Sequence, residues 1–427
     1  MYLRFRAENF KSLRRPSELS WVSTAQRDEP SWRIPSSIAE HGLLPVLGVY
    51  GANGSGKTNL LQALLEMRRM INDSFNGTKP EDRLPWTPWV GSQAPTRFDA
   101  DVIVDGVRYH YGFAHDATAI TEEWLYAWPK MHPRTLFRRG PDVEAGLHLG
   151  RELGGRSSEL VAVARRRTNA LFLSVAAQYE HPVLYPVWKA LAGVRVERPI
   201  QLGGFPVFDK DDALLLARNG PLVRSLLAAA DLGVVDFRPV VNDTRNADLL
   251  RVVTDALGDA HAAELRRSLA ERHELWLTHV NRAGETWELA PEQESRGTNI
   301  LLSRLNDSLA HLGAGDLMVI DEVDTGLHPD LCGALIALFT DPTTNPRHAQ
   351  LVFSTHSRDL LARLRRDEVV LLDKGADGGT DVRVASDYKG SVRGRDDLAR
   401  VHAAGRIRGV PVLGDLSAIT REWHEAR

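Results

Sequence analysis

The chain is poor in the features that would narrow its role fastest. It has one cysteine, Cys332, in 427 residues. No internal disulfide can form, and nothing points to an oxidising compartment. In a helical stretch that lone thiol reads as packing. No run of about 18 apolar residues occurs, which excludes a membrane-spanning helix. The opening "MYLRFRAENFKSLRR" mixes charged and apolar residues where a signal peptide would be unbroken and apolar. A cytoplasmic setting with no membrane partner is the expectation. Charge of one sign is missing too: 53 Lys and Arg against 56 Asp and Glu leave a net charge of -3. Composition therefore makes no global case for nucleic acid, and any such site would have to be a local patch. Sustained heptads, internal repeats and low-complexity tracts are absent as well. What is present is an ordinary globular balance, 43% hydrophobic and 26% charged. The length holds two or three domains, or one large domain with an insertion.

The patterning divides into three stretches. In the first, residues 1–143, "YLRFRAENF" alternates as a strand and "LLPVLGVY" reads as a buried one. "TRFDADVIVDGVRYHYGFA" is a hairpin pattern turning at Asp105-Gly106, a pair that accepts the positive φ of a type I′ turn. "TEEWLYAW" and "TLFRRG" extend that antiparallel layer. Residues 144–275 read as mainly helical, an inserted lobe whose Arg165–Arg167 run is a solvated helix face or a phosphate contact. In the third stretch, 276–427, apolar strands alternate with helices, the rhythm of a parallel sheet covered on both faces. The fold class is α/β.

Gly51-Ala-Asn-Gly-Ser-Gly-Lys-Thr58 satisfies G-x-x-x-x-G-K-[ST] at every position. A chance match in a chain this long is on the order of one or two in a hundred, and here a buried strand precedes the loop and a helix follows it. Gly51, Asn53, Gly54, Ser55 and Gly56 would turn backbone N–H groups toward an anion. The helix N-terminus carrying Asn59 adds its dipole. Lys57 would reach the β- and γ-phosphates of ATP, and the Thr58 hydroxyl would ligate Mg²⁺.

Further on, "DLMVIDEVDTGLHPD" ends an apolar strand in Asp321 and Glu322. Ligands of open α/β sheets lie at that end of the strands. Asp321 suits Mg²⁺, and Glu322 suits a base for the attacking water. Alone, the pair is only a strand that stops in an acidic turn; the phosphate loop gives it weight. "QLVFSTHS" ends a third apolar strand at His356, which is either a structural histidine or a γ-phosphate contact. Position alone does not choose between these.

These segments resemble a known family. Gly51–Thr58 resembles the Walker A of ABC-type ATPases, Ile320–Glu322 the Walker B with its glutamate, and Thr355-His356 the H-loop. "LRFRAENFKSL" resembles the opening strand of SMC, RecF and OLD-type proteins. "DEVDTGLHP" and "HAAGRIRGVP" (His402–Pro411) resemble prokaryotic ABC/SMC-like ATPases of phage-defence and abortive-infection operons, such as subunits of RloB-linked, PARIS and Septu systems. The resemblance implies an ABC-type ATPase head: a P-loop NTPase parallel sheet with an N-terminal antiparallel β layer and the inserted helical lobe. It further implies that Glu294, Ser295, Gly297 and Thr298 form a signature capping ATP held by another protomer. Asp324, Leu327 and His328 would form the D-loop, although His328 stands where transporters carry Asp. A homodimer or higher homo-oligomer through ATP-sandwiched heads follows from the same resemblance. A Q-loop is not sharply marked; Gln93 is its candidate, and an ordinary loop residue is the simpler reading.

Three uses of ATP remain. One is a subunit controlling a separately encoded effector, a nuclease or toxin, in anti-phage defence. Another is a RecF-like DNA-binding ATPase of repair or chromosome maintenance, which leaves nucleic acid open as a partner. The third is a self-contained nuclease with a fused Toprim domain. After His356 about 70 residues follow, "DEVVLLD" reads as the last strand of the sheet, and no glutamate with paired Asp-x-Asp is found there for metal-dependent cleavage. The first use is the expectation.

Overall fold

A computed structural model describes residues 1–24, 32–143, 146–153, 157–196, 206, 208–230, 232–241, 273–388, 398 and 400. The chain forms two compact units. Met1–Val194, Val319–Glu322 and Val352–Arg427 make the first; Arg195–Met318 and Val323–Leu351 make the second.

The first unit opens with β1 (Tyr2–Glu8), β2 (Ser17–Ser20), β3 (Val46–Gly51) and α1 (Lys57–Asn76). Next come β4 (Thr96–Val104), β5 (Val107–His115), β6 (Ile120–Trp128), β7 (Arg134–Arg139) and β8 (Leu147–Leu149), then α2 (Ser157–Arg166), α3 (Phe172–Gln178) and α4 (Tyr185–Ala192). The second unit holds β9 (Arg195–Val196), α5 (Lys210–Arg218), α6 (Gly220–Ala229), β10 (Val234–Val241), β11 (His273–Val280), β12 (Thr286–Leu289), α7 (Arg296–Ala314) and α8 (Pro329–Thr340). The division passes through β13 (Leu317–Ile320) and β14 (Gln350–Ser354). The short α9 (Arg358–Leu361), β15 (Val369–Lys374) and β16 (Thr380–Val384) return to the first unit.

Seven strands of the first unit pair antiparallel in the order β2-β1-β4-β5-β6-β7-β8. The β4–β5 turn forms as its sequence requires: Asp105 and Gly106 have φ of 48° and 78°, and Val104 pairs with Val107. The inner face is aromatic. Phe98 lies 6.5 Å from Phe5 and 5.6 Å from Phe113, centroid to centroid, and all three are fully buried. Helix α1 buries Leu60, Leu61, Leu64, Met67, Met70 and Ile71, each such side chain contributing about 1.5–3 kcal/mol. In the other sheet β16, β15, β3, β14 and β13 are neighbours in that order. Strand β15 runs parallel to β3, with Val370 beside Val49, while β16 is antiparallel to β15. All six residues of β3 are buried, which is why its sequence shows no alternation.

One expectation needs correction and two need narrowing. "DEVVLLD" is β15, but β16 follows it and takes the edge, so it is not the last strand. The described part of the middle stretch is mainly helical, α2 to α6, but it also holds β10, which pairs antiparallel with β11 from Val241–His273 to Val234–His279. Only Val234 and Phe237 of "VVDFRPVV" are buried, three residues apart across an irregularity between Val234 and Asp236, so no alternation marks the strand. Arg165 and Arg166 are exposed at the end of α2, as a solvated face requires, whereas Arg167 is half-buried: its guanidinium donates to the carbonyls of Phe75 (3.2 Å) and Thr78 and stacks on the Phe75 ring. It closes the C-terminal end of α1, where unpaired carbonyls attract a cation. His402–Pro411 lies outside the described residues.

Candidate functional site

Within the first unit, three strand ends meet. Gly51 closes β3; Thr355, just past β14, donates its N–H to Val49 O at 3.2 Å. Ser354, fully buried, accepts from Glu322 N at 2.8 Å and donates to Asp321 Oδ1. One hydroxyl thus ties both carboxylate residues to the strand beside the phosphate loop.

The loop is shaped by glycine where only glycine serves. Gly54 and Gly56 have φ of 76° and 104°, conformations that L side chains rarely adopt. A Cβ on Gly56 would collide with Thr380 Oγ1 and stand 2.8 Å from Ser12 Oγ. Around Gly54 nothing lies within 4 Å, so that side of the loop is open. Lys57 is only 7% exposed, and its ammonium donates to Gly51 O (2.8 Å) and Ala52 O (3.2 Å). A buried cation folded over carbonyls of its own loop suits a group that turns to a phosphate. Helix α1 begins on Gly56 with no side-chain cap and no acid in its first turn, leaving its N-terminus for an anion. Ser55 Oγ is buried and has no hydrogen-bond partner. The residues present fit a bound triphosphate.

Asn53 and Thr58 are exposed. Asn59 donates its amide to Ser12 Oγ at 2.8 Å and thereby fastens α1 to the β1–β2 loop; Ser12 in turn accepts from Thr380 Oγ1 at 2.8 Å. Asp321, Glu322 and His356 are exposed at the sheet end. Glu322 has φ of 55°, a left-handed conformation costing a side-chain-bearing residue about 1–3 kcal/mol. Strain of this kind at a carboxylate beside a phosphate loop motivates a functional role for it. Exposed hydroxyl and carboxylate oxygens at Thr58 and Asp321 are the hard donors that Mg²⁺ takes, with water completing its shell.

In the second unit, two of the residues expected to form a signature, Ser295 and Thr298, bond each other. Ser295 caps α7, its Oγ accepting from Thr298 N at 3.0 Å. Gly297 has room for no more than a tight Cβ, 3.2 Å from Gly326 O. Arg304, on the same helix, donates to Val323 O (2.5 Å) and Thr325 O (3.3 Å), so the backbone after Glu322 is held against α7. Leu327 is buried and Asp324 half-buried. His328 caps α8 by accepting from Asp330 N at 3.3 Å, a capping role that an aspartate would also fill. Glu294 is engaged elsewhere: its Oε1 lies 2.5 Å from His279 Nε2 on β11.

Sequence reasoning passed over Ser354, Ser12 and Thr380. Ser354 was findable as the last residue of an apolar strand next to Thr355-His356. Ser12 and Thr380 reach Gly56 from 44 residues before and 324 after, a relation no local pattern carries.

A glycine loop joining a fully buried strand to a helix, with the Asp321 carboxylate and the Glu322 backbone N–H both bonded to the neighbouring strand end, is the arrangement of a P-loop NTPase fold of mixed α/β class. The chain belongs to the family described as "AAA domain, putative AbiEii toxin, Type IV TA system", which matches residues 46–143 and 216–363, more than half of it and including the loop, the carboxylate pair and His356. Among solved structures it is similar to the Smc head domain with a coiled coil and joint derived from Pyrococcus yayanosii, at 11% identity and a TM-score of 0.36, over 95% of this chain and 99% of that one. No curated protein matches it. Among the described residues, no helix is long and apolar enough to cross a membrane.

Proposed function

We propose that the chain binds and hydrolyses ATP with Mg²⁺ and uses the cycle to control a separately encoded effector, a nuclease or toxin, in anti-phage defence. The observation that carries the ATPase part is the Ser354 hydroxyl bridging Asp321 and Glu322 beside the Lys57 loop. Backbone N–H groups from Gly54 to Thr58 and the Lys57 ammonium hold the phosphates, and Glu322 accepts the proton of the attacking water. Thr58 and Asp321 hold Mg²⁺, which neutralises phosphate charge when bound. His356 stands at the same strand end to contact the γ-phosphate.

The control part rests on the resemblance of the ordered motifs. Ser295 and Gly297 at the N-terminus of α7 would face ATP on a second copy, making nucleotide the link between protomers. ATP then favours the closed pair because it has more contacts there, and hydrolysis releases it. Ser295→Arg places bulk at that contact. It should abolish ATP-dependent association by size-exclusion with light scattering while each protomer still binds ATP; an unchanged assembly overturns capping between copies.

Effector control is tested by tagging Glu322→Gln, expressing it with its native neighbouring genes, and purifying it in ATP for mass spectrometry. A stoichiometric nuclease-like or toxin-like chain supports the reading. Recovery of DNA with no second protein favours a repair ATPase.

A further inference from the structure

The solvent side of the seven-stranded sheet carries a chemistry separate from the loop. Residues Glu123, Leu125 and Ala127 of β6 are buried on the inner face, so Trp124, Tyr126 and Trp128 form a row on the outer one. Pairing sets Gly112, His110 and Arg108 of β5 beside that row, and Arg138 of β7 beside Trp124. The Arg97 guanidinium lies 4.3 Å from the Trp124 ring and that of Arg108 4.7 Å from Trp128. His110 stacks on Tyr126 at 6.2 Å with 7° between planes. Gly112 makes this flatness possible: a Cβ there would collide with Trp124 Cζ2 and stand 2.6 Å from its Cε2.

Below the row, Asp99 and Asp101 are buried and fix the guanidiniums. Asp99 holds Arg6 at 2.9 Å; Asp101 holds Arg4 at 2.6 Å and Arg108 at 2.7 Å. The arginines themselves keep 30–38% of their side chains exposed, Arg97 included. A cavity of about 260 Å³ opens in this face, with Arg97, His110, Trp124, Tyr126 and Arg138 in its walls. Glu8, Glu18, Glu122 and Asp142 also reach this face, so its charge is nearly balanced. The face therefore offers flat, pinned, cationic and aromatic planes more than a positive field.

We propose that this face binds single-stranded nucleic acid, with unpaired bases stacking on the Arg97 and Arg108 planes and the Tyr126 ring. Bases stack on guanidinium and aromatic planes alike, at about 1–3 kcal/mol each, whereas a duplex has its base faces already occupied. The strands from β1 to β7 span about 19 Å, room for a short stretch of strand. With charge nearly balanced, affinity falls only shallowly with salt, as for about two neutralised phosphates or fewer. The site does not rest on the ATPase reading, and Lys57→Ala should keep it.

The test is fluorescence anisotropy of the full chain with a fluorescein-labelled oligothymidylate of about twenty nucleotides and a duplex of the same length. Expected are saturable binding with tryptophan quenching, at least about tenfold weaker binding of duplex, and at least about tenfold loss in Arg97→Ala/Arg108→Ala. Arg108→Lys keeps the charge and removes the plane, so it should lose affinity too. Removing Arg108 deprives buried Asp101 of a partner and can unfold the sheet; Tyr126→Leu, which removes no member of an ion pair, is the second variant. ATP turnover should persist in each. No binding by the wild type, equal binding of duplex, or unchanged affinity in Tyr126→Leu and Arg108→Lys overturns the proposal. So does a neighbour-encoded protein captured through Tyr126 when no oligonucleotide binds.

Discussion

The phosphate loop and the outer face of the antiparallel sheet each depend on glycine, for opposite reasons. At Gly54 and Gly56 the backbone itself is the binding surface, and the missing side chain permits φ values of 76° and 104°. At Gly112 the backbone is ordinary strand, and the missing side chain makes room for the Trp124 indole to lie flat. One region is written in eight consecutive residues; the other is assembled from residues 4 to 138 on five strands. Contiguous chemistry can be read from a sequence, while chemistry dispersed over a sheet needs the pairing register.

Changes at the two regions should separate cleanly. Lys57→Ala removes the ammonium that folds over the loop, and ATP affinity measured by calorimetry should fall by at least about a hundredfold, the loss of a charge-assisted contact to phosphate. Retained affinity would show that this lysine does not reach the phosphates. Glu322→Gln keeps the shape and removes the base: ATP should bind normally while steady-state turnover drops roughly 10²–10⁴-fold. Ser354→Ala sharpens the same side, since it frees Asp321 and Glu322 from the neighbouring strand. Turnover should fall about 10- to 100-fold from misplacement alone, with binding kept; unchanged turnover would make the bridge structural only. Gly112→Ala is the counterpart on the sheet. Its Cβ should cost about 1–3 kcal/mol by overpacking, seen as a lower midpoint in denaturant, with ATP affinity unchanged. A loss of ATP affinity there would join the two regions that the comparison holds apart.

Much of the architecture was legible. The Asp105-Gly106 hairpin, the strands around it and the buried run ahead of the loop follow from periodicity and turn chemistry, because each depends on neighbours a few residues away. Strand β10 was missed since only Val234 and Phe237 of its eight residues are buried, and their spacing of three, across a register shift, gives no period-two alternation to read. Arg165–Arg167 carried two readings on composition, and Arg167 met neither because its partners, the last carbonyls of α1, lie about 90 residues away. His328 in place of an aspartate is accounted for by its ring nitrogen accepting from Asp330 N.

By itself the sequence determined the phosphate loop, since glycine, lysine and threonine at set spacing dictate a local backbone whatever surrounds it. It also determined the strand that delivers the loop and the carboxylate pair at another strand's end. Only the tertiary structure decided that Ser354 bridges the pair, that Ser12 and Thr380 wall Gly56, and that arginines distant in sequence share one face with three aromatic rings. Those relations follow from strand order and register, which are set by burying the whole core at once rather than by any segment's own preference.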